Sequence, residues 1–238
     1  MNSVKFIGDA LTEKPWGSEY LLCRSSSSAL WCLLMHQDAS TSFHCHPIKR
    51  TGYVVLQGEV MVEFLSSTRK LGAGEFINFR PGLFHKTTAL QNQTVVLEIE
   101  SPDCKQDLVR LEDSAGRVSS RIEAPLSKLN QNQLFMIDNF RAVFDGVTSV
   151  PICGLGVSLR YFGHLEDCFK EDGSPAFLMV LEGEVRTNDT YLMEKPQRLL
   201  GPGDVIGVRN LMRMRHVIDE TAFDISGILF EQTFRARS

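Results

Sequence analysis

The run VVLQGEVMV, from Val54 to Val62, recurs as MVLEGEVRT from Met179 to Thr187. Each copy joins two stretches of β-forming residues through a glycine that permits a turn. Further along, LGAGEFINFR from Leu71 to Arg80 recurs as LGPGDVIGVR from Leu200 to Arg209, with four more residues between the two blocks of the second copy. Because both blocks return in the same order, we infer that the chain contains two copies of one β unit and that the extra residues lie in a loop.

Short β-rich runs separated by Gly, Pro and Asn surround the repeat in the first half of the chain. They cover Trp31 to Met35, Gly52 to Leu56, Val60 to Leu65, Phe76 to Phe79 and Val95 to Ile99. This spacing of strands and turns is typical of a β-sandwich or β-barrel. The segment from Asp107 to about Asn139 is charged and polar and is interrupted by Pro125. It is predicted to connect the two units, with part of it forming a helix.

The composition is that of a soluble globular protein. Hydrophobic residues make up 43% and charged residues 23% of the 238 positions, and the net charge is −4. This balance gives no reason to expect nucleic acid or an anionic membrane as a partner. No apolar run reaches the roughly 18–20 residues that span a bilayer, and the stretch MNSVKFIGDALTEKPWG lacks the apolar core of a signal peptide. The six cysteines form no CxxC pair. We therefore expect a cytoplasmic protein with free thiols.

Three of the six histidines fall in two short segments of the first half. His44 and His46 stand two apart in SFHCHP, so strand alternation directs both imidazoles to one face and Cys45 to the other. His85 follows the Pro-Gly turn of GEFINFRPGLFH, which brings it onto a returning strand. Three imidazoles would bind a divalent transition metal (Zn, Fe, Mn or Ni) and leave positions for water or substrate. The alternative is a chance pair on a solvated strand with a histidine in a turn.

The spacing around these histidines resembles that of the cupin superfamily. The first cupin motif runs HxH, four residues, Glu, six residues, Gly, and here His44 and His46 are followed in register by Thr51 and Gly58. The second runs Gly, five residues, PxG, two residues, His, and Gly74 to His85 follows it with the first Pro replaced by Arg80. The resemblance implies that the three histidines bind metal inside a barrel. Thr51 stands at the carboxylate ligand's position, and some cupins use three histidines alone around iron.

Three further segments are similar to mannose-6-phosphate isomerase-like (type II) cupin domains. They are KPWGSE from Lys14 to Glu19, HPIKRTGYVVLQGEV from His46 to Val60, and DLVRLEDSAGR from Asp107 to Arg117. This similarity covers about the first half of the chain, and Ala115 stands where the relatives usually have Tyr. Together with the internal repeat, the cupin resemblance implies two tandem cupin (double-stranded β-helix, jelly-roll) barrels with a mixed connecting segment, an all-β fold.

The second copy has lost the histidine motif. When the repeated glycines are aligned, the positions of His44, His46, Thr51 and His85 hold Phe169, Glu171, Ala176 and Met214. We therefore predict an N-terminal cupin barrel with the metal site in residues 1–125 and a degenerate C-terminal barrel in residues 126–238. A half site of His216 with Glu171 is the alternative to a barrel that serves only in packing.

Four charged residues are candidates for work beside the metal. Glu98 and Glu100 share one face of a strand, so either is a candidate general base or further ligand if that face is the barrel interior. If the face is exterior, both are merely solvated. Lys49 and Arg80 are expected near the barrel mouth, where they would bind a phosphate or carboxylate of the substrate. A solvated rim is the alternative for these two cations.

Three functions remain open at this level. The resemblance implies a metal-dependent sugar or sugar-phosphate isomerase, in which the metal polarises a carbonyl and a hydroxyl while Glu98 or Glu100 moves the proton. Three histidines without a carboxylate favour an iron dioxygenase. The third possibility is a non-catalytic carbohydrate- or metabolite-binding cupin. In each case the partner is a small molecule, and exposed barrel faces favour a homodimer.

Overall fold

The structure, a computed structural model, describes residues 5–6, 11–104, 106–112, 131–146, 149–169, 176–188 and 196–232. Within these residues the chain is predominantly β and its sheets are antiparallel. None of the helices in this part of the chain has the length and apolar character that crossing a membrane requires. The predicted boundary between residues 125 and 126 lies outside the described residues, so the division at that point stays a prediction.

The first unit is built from short strands throughout its described residues. They are β1 (Lys5–Phe6), β2 (Leu11–Lys14), β3 (Gly17–Arg24), β4 (Ala29–Met35), β5 (Phe43–Cys45), β6 (Arg50–Gln57), β7 (Glu59–Phe64), β8 (Thr68–Gly72), β9 (Phe76–Phe79), β10 (His85–Ala89), β11 (Thr94–Ser101) and β12 (Val109–Glu112). One sheet has the order β1-β3-β4-β11-β6-β9, with β2 paired to β3, and the other has the order β12-β5-β10-β7-β8.

The eight strands from β4 to β11 have the pairing of a jelly roll. Strands β4, β11, β6 and β9 are neighbours in one sheet, and β5, β10, β7 and β8 are neighbours in the other. Non-consecutive strands therefore pair across each sheet, as two Greek keys require. A core between the sheets contains Trp31, Tyr53, Val55, Val62 and Phe79. The predicted all-β jelly-roll fold is confirmed.

The second unit has fewer strands and more helix in its described residues. Its elements are α1 (Gln131–Phe144), β13 (Val150–Ile152), β14 (Leu155–Phe162), β15 (Ala176–Arg186), β16 (Arg198–Leu200), β17 (Val205–Gly207), α2 (Val208–Arg213) and β18 (Asp224–Gln232). Three short 3-10 helices cover Leu165–Cys168, Arg215–Val217 and Glu220–Ala222. The sheet has the order β13-β14-β18-β15-β16, with β17 also paired to β15.

The glycine of the repeated motif has the same backbone φ in both units. Gly58, between β6 and β7, has a φ of 79°, and Gly183, within β15, has the same value. Glycine tolerates this left-handed region because it has no Cβ. A Cβ at Gly58 would lie 2.5 Å from Thr94 Oγ1, and one at Gly183 would collide with the carbonyl oxygen of Asp224. The two copies therefore share the backbone conformation of this glycine as well as sequence.

The second unit differs most where the first carries its third histidine. In the first unit the chain passes from β9 into β10, which begins at His85, whereas in the second it passes from β17 directly into α2. Met214, which aligns with His85, lies just beyond the end of that helix. No strand equivalent to β10 forms among the described residues here. Glu171 lies outside the described residues.

The two units pack back to back through one apolar core. Leu97 and Ile99 on β11 belong to the same buried cluster as Phe140 of α1, Phe177 of β15 and Phe230 of β18. Leu97 and Ile99 therefore face the second unit. Because successive strand residues point to opposite faces, Glu98 and Glu100 point into the first barrel. This alternation positions both glutamates for the site.

Candidate metal centre

The structure brings His44, His46 and His85 together inside the first unit. His44 lies on β5 directly opposite His85, the first residue of β10, and His46 follows the end of β5. The imidazole centroids are 4.6 Å apart for His44 and His85, 5.0 Å for His44 and His46, and 5.9 Å for His46 and His85. All three side chains are buried, and one ring nitrogen of each lies within 4.8 Å of the others.

Each imidazole is oriented by a hydrogen bond to a backbone carbonyl. The Nδ1 atom of His44 lies 2.7 Å from the carbonyl oxygen of Ser42, and that of His46 lies 2.6 Å from the carbonyl oxygen of Asp107. The Nδ1 atom of His85 lies 2.9 Å from the carbonyl oxygen of Leu83. Because a carbonyl oxygen only accepts, each Nδ1 carries the proton and each Nε2 carries a lone pair. This is the arrangement that surrounds metal-bound histidines in proteins.

The Nε2 atom of His85 supports the same assignment. It is buried and has no hydrogen-bond partner among the described residues. A buried nitrogen without a partner is unfavourable by about 1–3 kcal/mol, and a metal ion at this point would remove that cost. The donor set therefore fits a divalent transition metal, and in this part of the chain the three histidines form the group able to hold one.

Burial keeps the three histidines neutral. It lowers the pKa of His46 and of His85 to about 4, and nearby Lys49 acts on His46 in the same direction. The pKa of His44 falls well below its ordinary value, first because of burial and then because of the charges that His85 and His46 would carry. Neutral imidazole is the form that binds a metal, so at neutral pH the ligands need no deprotonation.

Thr51 lies on β6, at the position where the cupin resemblance places a carboxylate ligand. Its side chain is buried, and its Oγ1 atom has no hydrogen-bond partner among the described residues. A neutral hydroxyl adds no charge to the centre. The ligands that the structure assembles are therefore three neutral imidazoles, and a bound divalent cation would keep its full positive charge.

His44 and His46 open onto a cavity of about 510 Å³, here called the histidine cavity. His44 and His46 form part of its wall, and Lys49, Glu98 and Glu100 line it as well. The face shared by the two glutamates is thus the interior face of the barrel. A volume in the range of about 300–1,000 Å³ is usual for sites that bind small molecules.

Glu98 is an ionisable group of this cavity whose pKa is shifted close to neutral pH. Burial raises its pKa to about 8, and the neighbouring charge of Glu100 acts in the same direction, while Lys49 opposes it. Tyr53, directly opposite on β6, donates a hydrogen bond to the Glu98 carboxylate, and the pKa of this buried tyrosine is raised well above its ordinary value. Glu98 therefore exchanges its proton close to neutral pH, as a general acid or base must.

Glu100 is held in place on both carboxylate oxygens. Lys49 Nζ donates to Oε2 at 2.5 Å, and Trp31 Nε1 donates to Oε1 at 3.2 Å. The side chains of Lys49 and Glu100 are only 4% and 6% exposed. Lys49 does lie in the histidine cavity, as expected of a substrate-binding residue, but its charge is neutralised by Glu100. This ion pair is better suited to holding the cavity wall in place than to binding an anionic group of the substrate.

Arg80 is not among the residues that line the histidine cavity, and its expected substrate-binding role stays a prediction. Along β9 the buried Ile77 and Phe79 alternate with the exposed Asn78, and Arg80 continues the exposed series. Arg80 lines a different cavity, between the two units, together with Arg50 and Arg69. Alternation directs its side chain out of the barrel.

Asp107 has a role that sequence reasoning missed. Its carbonyl accepts the His46 Nδ1 hydrogen bond, while its carboxylate accepts from the backbone N–H groups of Ile48 at 2.9 Å and Lys49 at 2.7 Å. One residue thus fixes both the ring of His46 and the loop that follows it. Asp107 begins the DLVRLEDSAGR segment, which is the only sign of it in the sequence. Ala115 of that segment lies outside the described residues.

Comparison with known proteins provides neighbours in fold. No family model and no curated protein matches the sequence. Solved structures that resemble parts of it include KdgF from a Halomonas species, at 19% identity and a TM-score of 0.39 over 41% of this chain and 92% of its own. A double-stranded β-helix protein from Klebsiella pneumoniae matches at 16% identity and a TM-score of 0.37, over 40% and 84%. A cupin-2 domain protein from Shewanella frigidimarina matches at 18% identity and a TM-score of 0.33, over 38% and 83%. Each likeness concerns the fold alone and covers less than half of this chain.

Proposed function

We propose that the protein is a metal-dependent enzyme that isomerises a small polar carbonyl compound of the sugar or sugar-phosphate class. One observation carries the proposal: a proton-exchanging carboxyl group, Glu98, shares a cavity with histidines whose Nε2 lone pairs are set for a metal. Isomerisation of this kind needs an electrophile at the oxygen atoms and a general acid–base group for the carbon-bound proton.

The residues divide the work as follows. A divalent transition metal held by His44, His46 and His85 would supply the Lewis acid that polarises the substrate's oxygen atoms. Glu98 takes the proton from one carbon and returns it to the neighbouring carbon. The hydrogen bond from Tyr53 fixes the position of the Glu98 carboxylate between these two transfers. Lys49 and Glu100 form a neutral ion pair in the same wall and help to hold its shape.

The test is proton exchange with solvent. The metal-loaded protein is incubated in D2O with a panel of aldose and ketose phosphates and their unphosphorylated sugars, and NMR follows deuterium at the carbon next to the carbonyl. We expect exchange with at least one substrate and a loss of about 10²–10⁴-fold in Glu98→Gln, with the metal retained. Glu63→Gln is the matched control, because Glu63 pairs with Lys86 at the surface. Full exchange by Glu98→Gln would refute the role of Glu98.

A second function is favoured by the absence of a carboxylate from the metal-binding group in the described residues. Three neutral imidazoles also suit an iron dioxygenase. That reading predicts oxygen consumption by the iron-loaded protein, which an oxygen electrode measures, whereas the isomerase works under nitrogen. Saturable thermal stabilisation by a sugar, without turnover in either assay, would contradict both enzymatic readings and favour a carbohydrate-binding protein. The cytoplasmic location and the homodimer stay predictions.

A further inference from the structure

A cavity of about 650 Å³ lies between the two units and is here called the arginine cavity. One wall comes from the first copy of the downstream repeat, residues 74–80. The other comes from the second copy, through Leu200 and Asp204, together with Asn210. Arg50 and Arg69 complete the lining beside Arg80. The duplication thus brings the two copies of one motif face to face around a polar space.

Contacts between the units hold these walls in a fixed relation. Asn78 Nδ2 donates to the carbonyl oxygen of Val205 at 2.7 Å, and the Val205 N–H donates to Asn78 Oδ1 at 2.8 Å. Beside them the backbones approach so closely that a Cβ on Gly52 would lie 2.8 Å from the carbonyl oxygen of Gly203. The cavity is therefore formed in advance of any ligand, which lowers the entropic cost of binding.

The charges in the arginine cavity leave positive groups available. Arg50 Nη1 donates to both carboxylate oxygens of Asp204, at 3.2 and 3.3 Å, and Asp204 also accepts from the backbone of Gly201. The Glu75 carboxylate accepts from the N–H of Gly72 at 2.7 Å.

Both acids of the lining are thus engaged, whereas two of its arginines are not. In the part of the chain that the structure describes, neither the Arg69 nor the Arg80 guanidinium makes a hydrogen bond or an ion pair. Three guanidinium groups against two occupied carboxylates make this a donor-rich, positively charged cavity.

We propose that the arginine cavity binds a small molecule that bears a phosphate group. The planar guanidinium presents paired N–H donors that match phosphate oxygens, and Arg69 and Arg80 offer two such groups on one cavity. The volume of the cavity suits a metabolite, and the overall charge of −4 disfavours a long polyanion such as nucleic acid. The site is separate from the histidine cavity and does not rest on the proposed enzymatic function.

The test is isothermal titration of the full-length protein with inorganic phosphate, glucose 6-phosphate and, as the uncharged probe, glucose. We expect saturable binding of a phosphate compound and none of glucose. Arg69→Gln and Arg80→Gln should each weaken binding about tenfold, since each removes a charge-assisted contact. Arg209→Gln is the matched control: Arg209 is the repeat counterpart of Arg80, is exposed and lies outside the cavity. It should change the affinity less than twofold.

The outcomes separate the alternatives. Tighter binding of glucose 6-phosphate than of inorganic phosphate identifies a phosphorylated metabolite as the ligand, and equal affinities identify the phosphate group alone. Absence of saturable binding by both phosphate compounds overturns the proposal, as does equal weakening by all three arginine variants, which would indicate diffuse surface electrostatics. Binding that disappears in His44→Ala also overturns it, because the anion would then occupy the histidine cavity.

Discussion

The buried ion pair of Lys49 and Glu100 allows a sharp test of the barrel interior. Substitution of Lys49 by Met keeps a chain of similar length and leaves the Glu100 carboxylate without its cation. Both side chains are almost fully buried, and the remaining hydrogen bond to Glu100 comes from Trp31. An uncompensated charge in such a place is strongly destabilising because it has lost its water.

The expected magnitude follows from this environment. Removal of one partner of a buried pair costs about 3–5 kcal/mol. We expect about 3 kcal/mol for Lys49→Met, the lower end of that range, because the Trp31 hydrogen bond persists and the pair borders a cavity. At roughly 2–4 °C per kcal/mol for a chain of this size, the melting temperature should fall by about 6–12 °C.

Urea unfolding followed by circular dichroism measures the effect in a double-mutant cycle with Glu100→Gln. The double variant should be more stable than Lys49→Met alone, since it removes the orphaned charge. Lys86→Met is the matched control: its partner Glu63 is about one-third exposed, and the loss should stay below about 1 kcal/mol. A Lys49→Met protein within about 1 kcal/mol of the wild type would refute this account of the pair.

Three further changes test other parts of the structure. The raised pKa of Glu98 means that the metal-free native state holds this proton more tightly than the unfolded state, so the contribution of Glu98 to stability should fall as pH rises from about 4.5 to about 8. Glu98→Gln should remove that contribution, and urea midpoints at pH 5 and pH 8 measure the growing advantage of the variant. Gly52→Ala should lower the free energy of unfolding by about 1–3 kcal/mol, because its Cβ would meet the backbone of the second unit. Asp107→Ala should weaken metal binding by roughly 10–100-fold in a chelator competition titration, because the loop after His46 loses its anchor.

Each of these changes has a control and a contradicting result. An advantage of Glu98→Gln that is equal at both pH values would exclude a raised pKa. Gly72→Ala places its Cβ 3.7 Å from the nearest neighbouring atom, Glu75 Oε2, and should be near neutral, so a similar loss in both glycine variants would contradict the close approach of the units. Asp103→Ala should leave metal affinity unchanged, and an equal affinity in Asp107→Ala would remove Asp107 from the support of His46.

The parts of the structure that follow short-range rules could be predicted from the sequence. The duplicated motifs predicted two related β units, and the turn glycines Gly58 and Gly183 indeed share one backbone conformation. The HxH spacing predicted that His44 and His46 share a face, because alternation in a strand is a local property. The spacing of the second motif predicted that His85 lies beside them, and in the structure His85 on β10 is paired with His44 on β5.

The parts that depend on long-range packing could not be predicted. Arg80 continues an exposed series on β9, and nothing in its own segment indicates that the second unit forms a cavity around it. The pairing of Lys49 with Glu100 joins residues 51 positions apart, and the bond from His46 to Asp107 joins residues 61 apart. Replacement of a strand by α2 in the second unit was likewise not predicted, because the sequence alignment placed Met214 at the position of His85, which begins a strand.

The most direct test of the metal centre is elemental analysis of the tag-free protein, purified without added metal, beside the His44→Ala/His85→Ala double variant. Circular dichroism confirms that both are folded. We expect about one transition-metal ion per wild-type chain and none above background in the double variant, since one imidazole cannot retain it. Iron would favour the dioxygenase, and zinc, manganese or nickel the isomerase. Equal metal content in the two proteins, or a wild type that binds no transition metal even when it is supplied, would contradict a centre built from His44, His46 and His85.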